Sequence, residues 1–226
     1  RWLVQEGHEV TVHAFDRQQE FTMSESIDGV RLMRYHLGNT PYGGLVNTAM
    51  GLRKFLNQVL RSLANEPPNI VYCHDADTLS IGCSMKKKHS IPFIFDMHDL
   101  HHTWILMPAP QSLVRKTISK RLEKRMLRRI RMADHIITSS GKIGKNGVYS
   151  GFREYLQQHG HKSTVIENRP MVNRTLETNP KSPWCVGYLG RVREVQPFQQ
   201  LLECVLSMEK ENRPSIRIAG DGVAYE

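Results

Sequence analysis

The stretch "NIVYCHDADTLSIGCSMKKKHSIPFIFDMHDL" (69–100) decides the fold. Two short apolar runs, "NIVYCH" (69–74) and "FIFDM" (93–97), bracket a segment of helical length over roughly 77–88. The runs are too short for helices and rich in β-branched and aromatic residues, so they read as strands. Pro92 separates the helix from the second strand. Strand, helix, strand in this order is the unit of a parallel sheet. Polar residues gather where each strand ends: His74 and Asp75 after the first, then His98, Asp99, His101 and His102 after the second.

Upstream, "HEVTVHAF" (8–15) and "GVRLMRY" (29–35) read as strands. "GLVNTAMGLRKFLNQVLRSLA" (44–64) is an amphipathic helix with Leu52, Phe55, Leu56, Val59, Leu60 and Leu63 on one face. Downstream come a basic helix, the strand "DHIITS" (134–139), a helix capped by Ser139 or Ser140 that runs toward Gln158, and the strand "STVIEN" (163–168). Strands that alternate with helices and are apolar almost throughout predict a doubly wound α/β domain, its parallel sheet covered on both faces, over residues 1–170. "RPMVNRTLETNPKSP" then has no periodicity, and 171–183 is expected to be a linker. The βα pattern restarts with "WCVGYLG" (184–190), a helix over about 196–210 and "SIRIAGDG" (215–222). Residues 184–226 hold too few elements to bury a core alone, so they read as the beginning of a second domain. The opening "RWLVQEGHEV" reads as a helix entering a strand, and the chain is expected to be cut at both ends.

Composition narrows the function. Hydrophobic residues make up 39% and charged residues 23% of the 226, as in ordinary globular proteins, and no apolar run reaches the roughly 20 residues of a spanning helix. Cys73, Cys83, Cys185 and Cys204 lack CxxC spacing and are expected to be reduced, as in a cytoplasmic protein. The net charge of +9 is concentrated. "LVRKTISKRLEKRMLRRIR" (113–131) has nine lysines or arginines against one glutamate, so the remainder is nearly neutral. Without aromatic interleaving or a spread basic face, a nucleic-acid partner is not expected. Val114, Ile118, Leu122, Met126 and Ile130 form one apolar stripe on this helix. Two readings stay open for its basic face: a solvated surface, or contact with anionic lipid headgroups.

Six stretches in order, "GHEVTVHAF", the 69–100 segment, "ADHIITSS", "VIENRP", "VGYLGRVRE" and "IRIAGDG", resemble the retaining glycosyltransferases of family 4. The resemblance implies the GT-B architecture, with an acceptor-side Rossmann-like domain and a donor-binding one. It implies sugar transfer from a nucleotide-sugar donor to a glycan or lipid-linked acceptor with retention of configuration. The nucleotide sugar is a substrate, and neither a cofactor nor a metal is expected. His98 matches the histidine that faces the reacting sugar. His74 and Asp75 match a polar pair on the acceptor side, although capping of the next helix by Asp75 or Asp77 accounts for the acids equally well. Gly190, Arg191, Glu194, Gly220 and Gly222 match the donor-diphosphate side. For Gly220 and Gly222 a plain tight turn is an equal account. The family's second cation, about six residues after Arg191, is replaced by Pro197 and Phe198. An alternative is therefore a non-catalytic remnant that binds a partner or an anionic membrane surface. Cytoplasmic placement, at most peripheral to a membrane, completes the expectation. The 226 residues alone are expected to transfer no sugar.

Overall fold

The computed structural model describes residues 2–38, 45–106, 109–141, 151–167, 185–190 and 196–220. The chain divides into two compact units, Arg1–Arg169 and Pro170–Glu226.

The first unit starts with one helical turn, α1 (Trp2–Gln5), and three strands, β1 (Val10–Phe15), β2 (Ser24–Ile27) and β3 (Val30–Tyr35). β1 pairs parallel with β3, and β2 pairs antiparallel on its other side. The sequence reading missed β2. Its signal is "SIDGV", because Asp28 and Gly29 have φ of 51° and 79°, the left-handed pair that a two-residue hairpin turn requires.

Helix α2 (Leu45–Asn65) follows. Phe55, Val59 and Leu63 are buried on it, and Leu52, Leu56 and Leu60 pack against the same core, which is the face predicted. The Phe55 ring meets two strands of the first ladder: it stacks on Phe15 at 5.4 Å and lies edge-on to Tyr35 at 5.5 Å.

The second ladder holds the core. It orders β4 (Val71–His74), β5 (Phe93–Met97), β6 (His135–Thr138) and β7 (Thr164–Val165), all parallel. α3 (Asp75–His89) joins β4 to β5; the four-residue turn α4 (His101–Trp104) and the long α5 (Leu113–Ile130) join β5 to β6. The two faces of this ladder differ. Cys73, Phe93, Phe95 and Met97 point into the core and are at most 1% exposed. The alternate residues Tyr72, His74, Ile94 and Asp96 lie on the other face, where Tyr72 and His74 are exposed. Among the described residues, this second face is exposed at Tyr72 and His74 and covered at Asp96.

α3 packs on β4 and β5 through Gly82. A Cβ there would lie 2.5 Å from the Phe93 ring and 2.8 Å from Cys73 Sγ, so a larger residue would push the helix off the sheet. The helix ends because Ser90 takes a left-handed conformation, its N–H donating to the Lys86 and Met85 carbonyls, with Pro92 two residues on. Asp134 aligns the next strand by accepting the Phe93 N–H at 2.9 Å and the Lys86 ammonium at 2.7 Å.

α6 (Phe152–Gln158) is shorter than expected. Ser140 does serve it, its hydroxyl accepting the Phe152 N–H at 3.3 Å and its carbonyl the Arg153 N–H at 3.1 Å. The expected start of that helix, over 142–150, lies outside the described residues. The strand expected over 163–168 is reduced to the two residues of β7. The second unit contributes the parallel pair β8 (Cys185–Leu189) and β9 (Ser215–Ala219), the helix α7 (Gln196–Leu206) and a 3-10 turn at Lys210–Asn212. Cys73 is buried as its apolar run suggests, whereas Cys185 is exposed, as is every residue of β8.

Candidate functional site

The carboxyl ends of β4 and β5 lie side by side, since parallel register sets His74 opposite Asp96. In open α/β sheets this end is where ligands bind. Asp96 is the hub of the polar groups there. Its side chain is only 8% exposed, and Oδ2 accepts from Tyr72 Oη at 2.5 Å. His98 Nε2 sits 2.9 Å from the same oxygen, and His74 Nδ1 sits 3.5 Å away. The His74 and His98 rings lie 4.6 Å apart, tilted by 32°. Burial and the neighbouring Asp96 carboxylate both push the Tyr72 hydroxyl well above its ordinary value, so it remains a donor.

Asp75 supports this arrangement from behind. It has φ of 61°, an uncommon conformation for a residue with a side chain, at the joint where β4 passes directly into α3. Its Oδ1 accepts the backbone N–H of His98 at 3.1 Å, and its Oδ2 lies 3.7 Å from His74 Nε2. The residue before the helix is His74, which makes no side-chain cap. Asp75 therefore fixes the turn after β5 instead of capping α3. Asp77 is raised above the ordinary carboxylate range by burial, with His101 acting against that shift.

The remaining histidines separate by role. His101 groups with Asp75 and Asp99, and His102 turns inward beneath α5. His102 Nε2 lies 3.5 Å from Glu123, and its carbonyl accepts the Ser119 hydroxyl at 2.6 Å. The sequence reading found His98, His74 and Asp75 but missed Asp96 and Tyr72. Strand alternation puts Tyr72 with His74 on one face of β4 and Asp96 on one face of β5, but only the register of the two strands brings the three together.

In the second unit, Gly190 and Gly220 meet at the ends of β8 and β9, with φ of 157° and 154°. A Cβ on Gly220 would lie 1.8 Å from the Gly190 carbonyl oxygen, so this close backbone approach requires glycine. Phe198, at the place where the resemblance expects a cation, packs edge-on against Tyr188 at 5.0 Å. Arg191, Glu194 and Gly222 lie outside the described residues.

Parallel α/β units with polar strand ends define the class, the GT-B-type glycosyltransferase fold. The sequence model of the glycosyl transferase 4-like domain matches residues 1–146, and the chain belongs to that family. Among solved structures it is similar to sucrose-phosphate synthase from Thermosynechococcus elongatus, with a TM-score of 0.60 and 15% identity over 96% of this chain and 54% of that one. It is also similar to Arabidopsis thaliana UGT89C1 complexed with UDP-L-rhamnose, with a TM-score of 0.55 and 12% identity over 99% of this chain and 64% of that one. The chain thus spans between about half and two thirds of these structures. No curated protein matches the sequence. No described helix is long and apolar enough to cross a membrane.

Proposed function

We propose that the chain is part of a glycosyltransferase that moves a sugar from a nucleotide-sugar donor to a glycan or lipid-linked acceptor, with retention of configuration. The observation that carries this reading is the family match over the unit whose strand ends gather His74, Asp75, Asp96 and His98. One similar structure is complexed with UDP-L-rhamnose, a nucleotide sugar, which agrees with such a donor. In this reading the first unit receives the acceptor and the second the donor. His98 acts at the reacting sugar, with Asp96 holding its ring; His74 and Asp75 bind acceptor hydroxyls. Gly190 and Gly220 let the backbone approach the donor closely, and Arg191, with Glu194 and Gly222, completes the diphosphate side. Transfer then depends on charge placed against the departing diphosphate.

The test uses the natural protein that carries these 226 residues. Arg191→Ala is expected to weaken nucleoside-diphosphate binding by about 1.5–3 kcal/mol in titration calorimetry, the worth of a charge-assisted hydrogen bond. Unchanged affinity removes Arg191 from the donor site. Diphosphate release across a panel of nucleotide sugars tests transfer, and the anomeric configuration of the product tests retention.

A second reading is favoured by Phe198, which puts an aromatic ring where the diphosphate's second cation is expected. In it the domain is a non-catalytic remnant that binds a partner or an anionic membrane surface. Retention on anionic vesicles or by a partner, with no turnover on any donor, would select it.

A further inference from the structure

We propose that the neighbouring rings of Trp104 and His101, with the carboxylates of Asp77 and Asp99 beside them, form a docking platform for one ring of an uncharged acceptor sugar. The inference rests on the glycosyltransferase reading above and sharpens it, naming the surface that selects the acceptor and the kind of sugar selected.

The first observation is how α4 is held. Helix α5 pins this turn at two carbonyls: the Ser119 hydroxyl donates to that of His102 at 2.6 Å, and the Arg115 guanidinium to that of Ile105 at 2.8 Å. The His102 side chain turns inward, with Nε2 3.5 Å from Glu123. None of these contacts uses the indole of Trp104, and the residue remains 49% exposed. A large ring on a backbone fixed in this way is ordered before a ligand arrives, so little freedom is lost on binding.

The second observation is shape. His101 and Trp104 stand three residues apart and share one side of the turn. Their ring centroids lie 4.6 Å apart with a tilt of 33°, which makes one continuous aromatic surface. A pyranose has a face of C–H bonds and a girdle of hydroxyls. The C–H face packs on aromatic rings, and the hydroxyls need polar partners at the edge.

The third observation is position and charge. α4 begins four residues after β5 ends, so the platform lies just beyond the carboxyl end of that strand. A ring nitrogen of His101 and carboxylate oxygens of Asp75 and Asp99 all lie within 4.8 Å of one another, so the platform adjoins the group placed at the acceptor. His101 and Arg17 both act electrostatically on Asp77. Carboxylates accept hydrogen bonds from sugar hydroxyls. They repel a further carboxylate or phosphate, and Asp75, Asp77 and Asp99 together outnumber Arg17. The platform therefore favours a neutral sugar over a uronic acid or a phosphorylated one.

The test uses the natural protein that carries these residues. The probes are methyl glycosides and disaccharides of neutral hexoses and N-acetylhexosamines, with methyl glucuronoside as the anionic match to methyl glucoside. Saturation-transfer NMR titration reads glycoside binding, and calorimetry reads nucleoside-diphosphate binding separately. Neutral glycosides are expected to bind with saturation strongest on the C–H face, and the glucuronoside to bind about 5-fold more weakly than the glucoside. Trp104→Ala should weaken glycoside binding by about 5–10-fold, and Trp104→Phe should recover most of it by returning a ring. Asp99→Asn should narrow the gap between neutral and anionic sugars. Circular dichroism confirms that each variant is folded. Undiminished glycoside binding in Trp104→Ala overturns the platform, as does the absence of binding by any neutral glycoside. A glucuronoside that binds as well as the glucoside overturns the selection by charge. Glycoside binding that depends on Trp104, in a protein that binds no nucleoside diphosphate, supports the platform and counts against the glycosyltransferase reading instead.

Discussion

At the scale of single residues, the buried histidines set a direction for pH dependence. His13, His102 and His161 are all held below their ordinary 6.5, in each case first by burial. Arg31 lowers His13 further and Arg131 lowers His161, whereas Glu123 works against the shift at His102. A base with a depressed folded pKa stays neutral while the unfolded chain takes up protons. Stability is therefore full above 6.5 and falls as pH drops from there through the folded values. The urea midpoint should decline between about pH 7 and pH 5, and His102→Gln should flatten part of that slope. A midpoint that is level or rises on acidification would refute the assignment. The same scale shows what the sequence could reveal about the candidate site. His98, His74 and Asp75 were legible because polar residues after an apolar strand mark its end. Asp96 and Tyr72 were not, because their roles arise from pairing across two strands, and the linear sequence gives no register.

At the scale of elements, α5 is informative. Its predicted stripe is a single face, but the structure divides it. Met126 and Ile130 are buried, while Leu113, Val114 and Leu122 are exposed, at 79%, 69% and 41%. The exposed part is interleaved with Lys116, Lys120, Arg121 and Lys124. Such a surface suits an anionic lipid interface, where apolar side chains enter the headgroup boundary and cations meet phosphates. Vesicles rich in anionic lipid should retain the protein and release it as salt rises, and neutral vesicles should not. Leu113→Asp/Val114→Asp should reduce retention if the apolar residues insert. Equal binding to both vesicle types, or to neither, leaves a solvated helix. The core-facing pattern of α2 was fully legible, since its periodicity matches the face it buries. Strand β2 was passed over although its Asp-Gly turn is a strong hairpin signal, because "SESI" lacks the apolar content that marks interior strands. The polar second face of β4 and β5 also escaped, since the dominant Val, Phe and Met residues on the core side mask the alternation.

At the scale of the whole molecule, the first unit rests on two ladders. The larger one supplies the core, while β1, β3 and β2 meet that core through the rings of Phe15, Tyr35 and Phe55. An isolated hairpin is marginal in water, so the β2–β3 pair depends on this docking and is expected to complete late. Gly29 tests the timing. Its φ of 79° suits glycine, and a Cβ there would come 2.7 Å from Val4 Cγ1, so Gly29→Ala strains the turn. In stopped-flow measurements the substitution should speed unfolding and leave the folding rate unchanged, as expected of contacts absent from the transition state. Slower folding in proportion to the lost stability would place the hairpin in the nucleus instead. The peripheral turn thus governs how long the native state lives more than how quickly it is reached. In a cell, a lesion at this rim would be felt as a shortened lifetime of a protein that still folds on schedule.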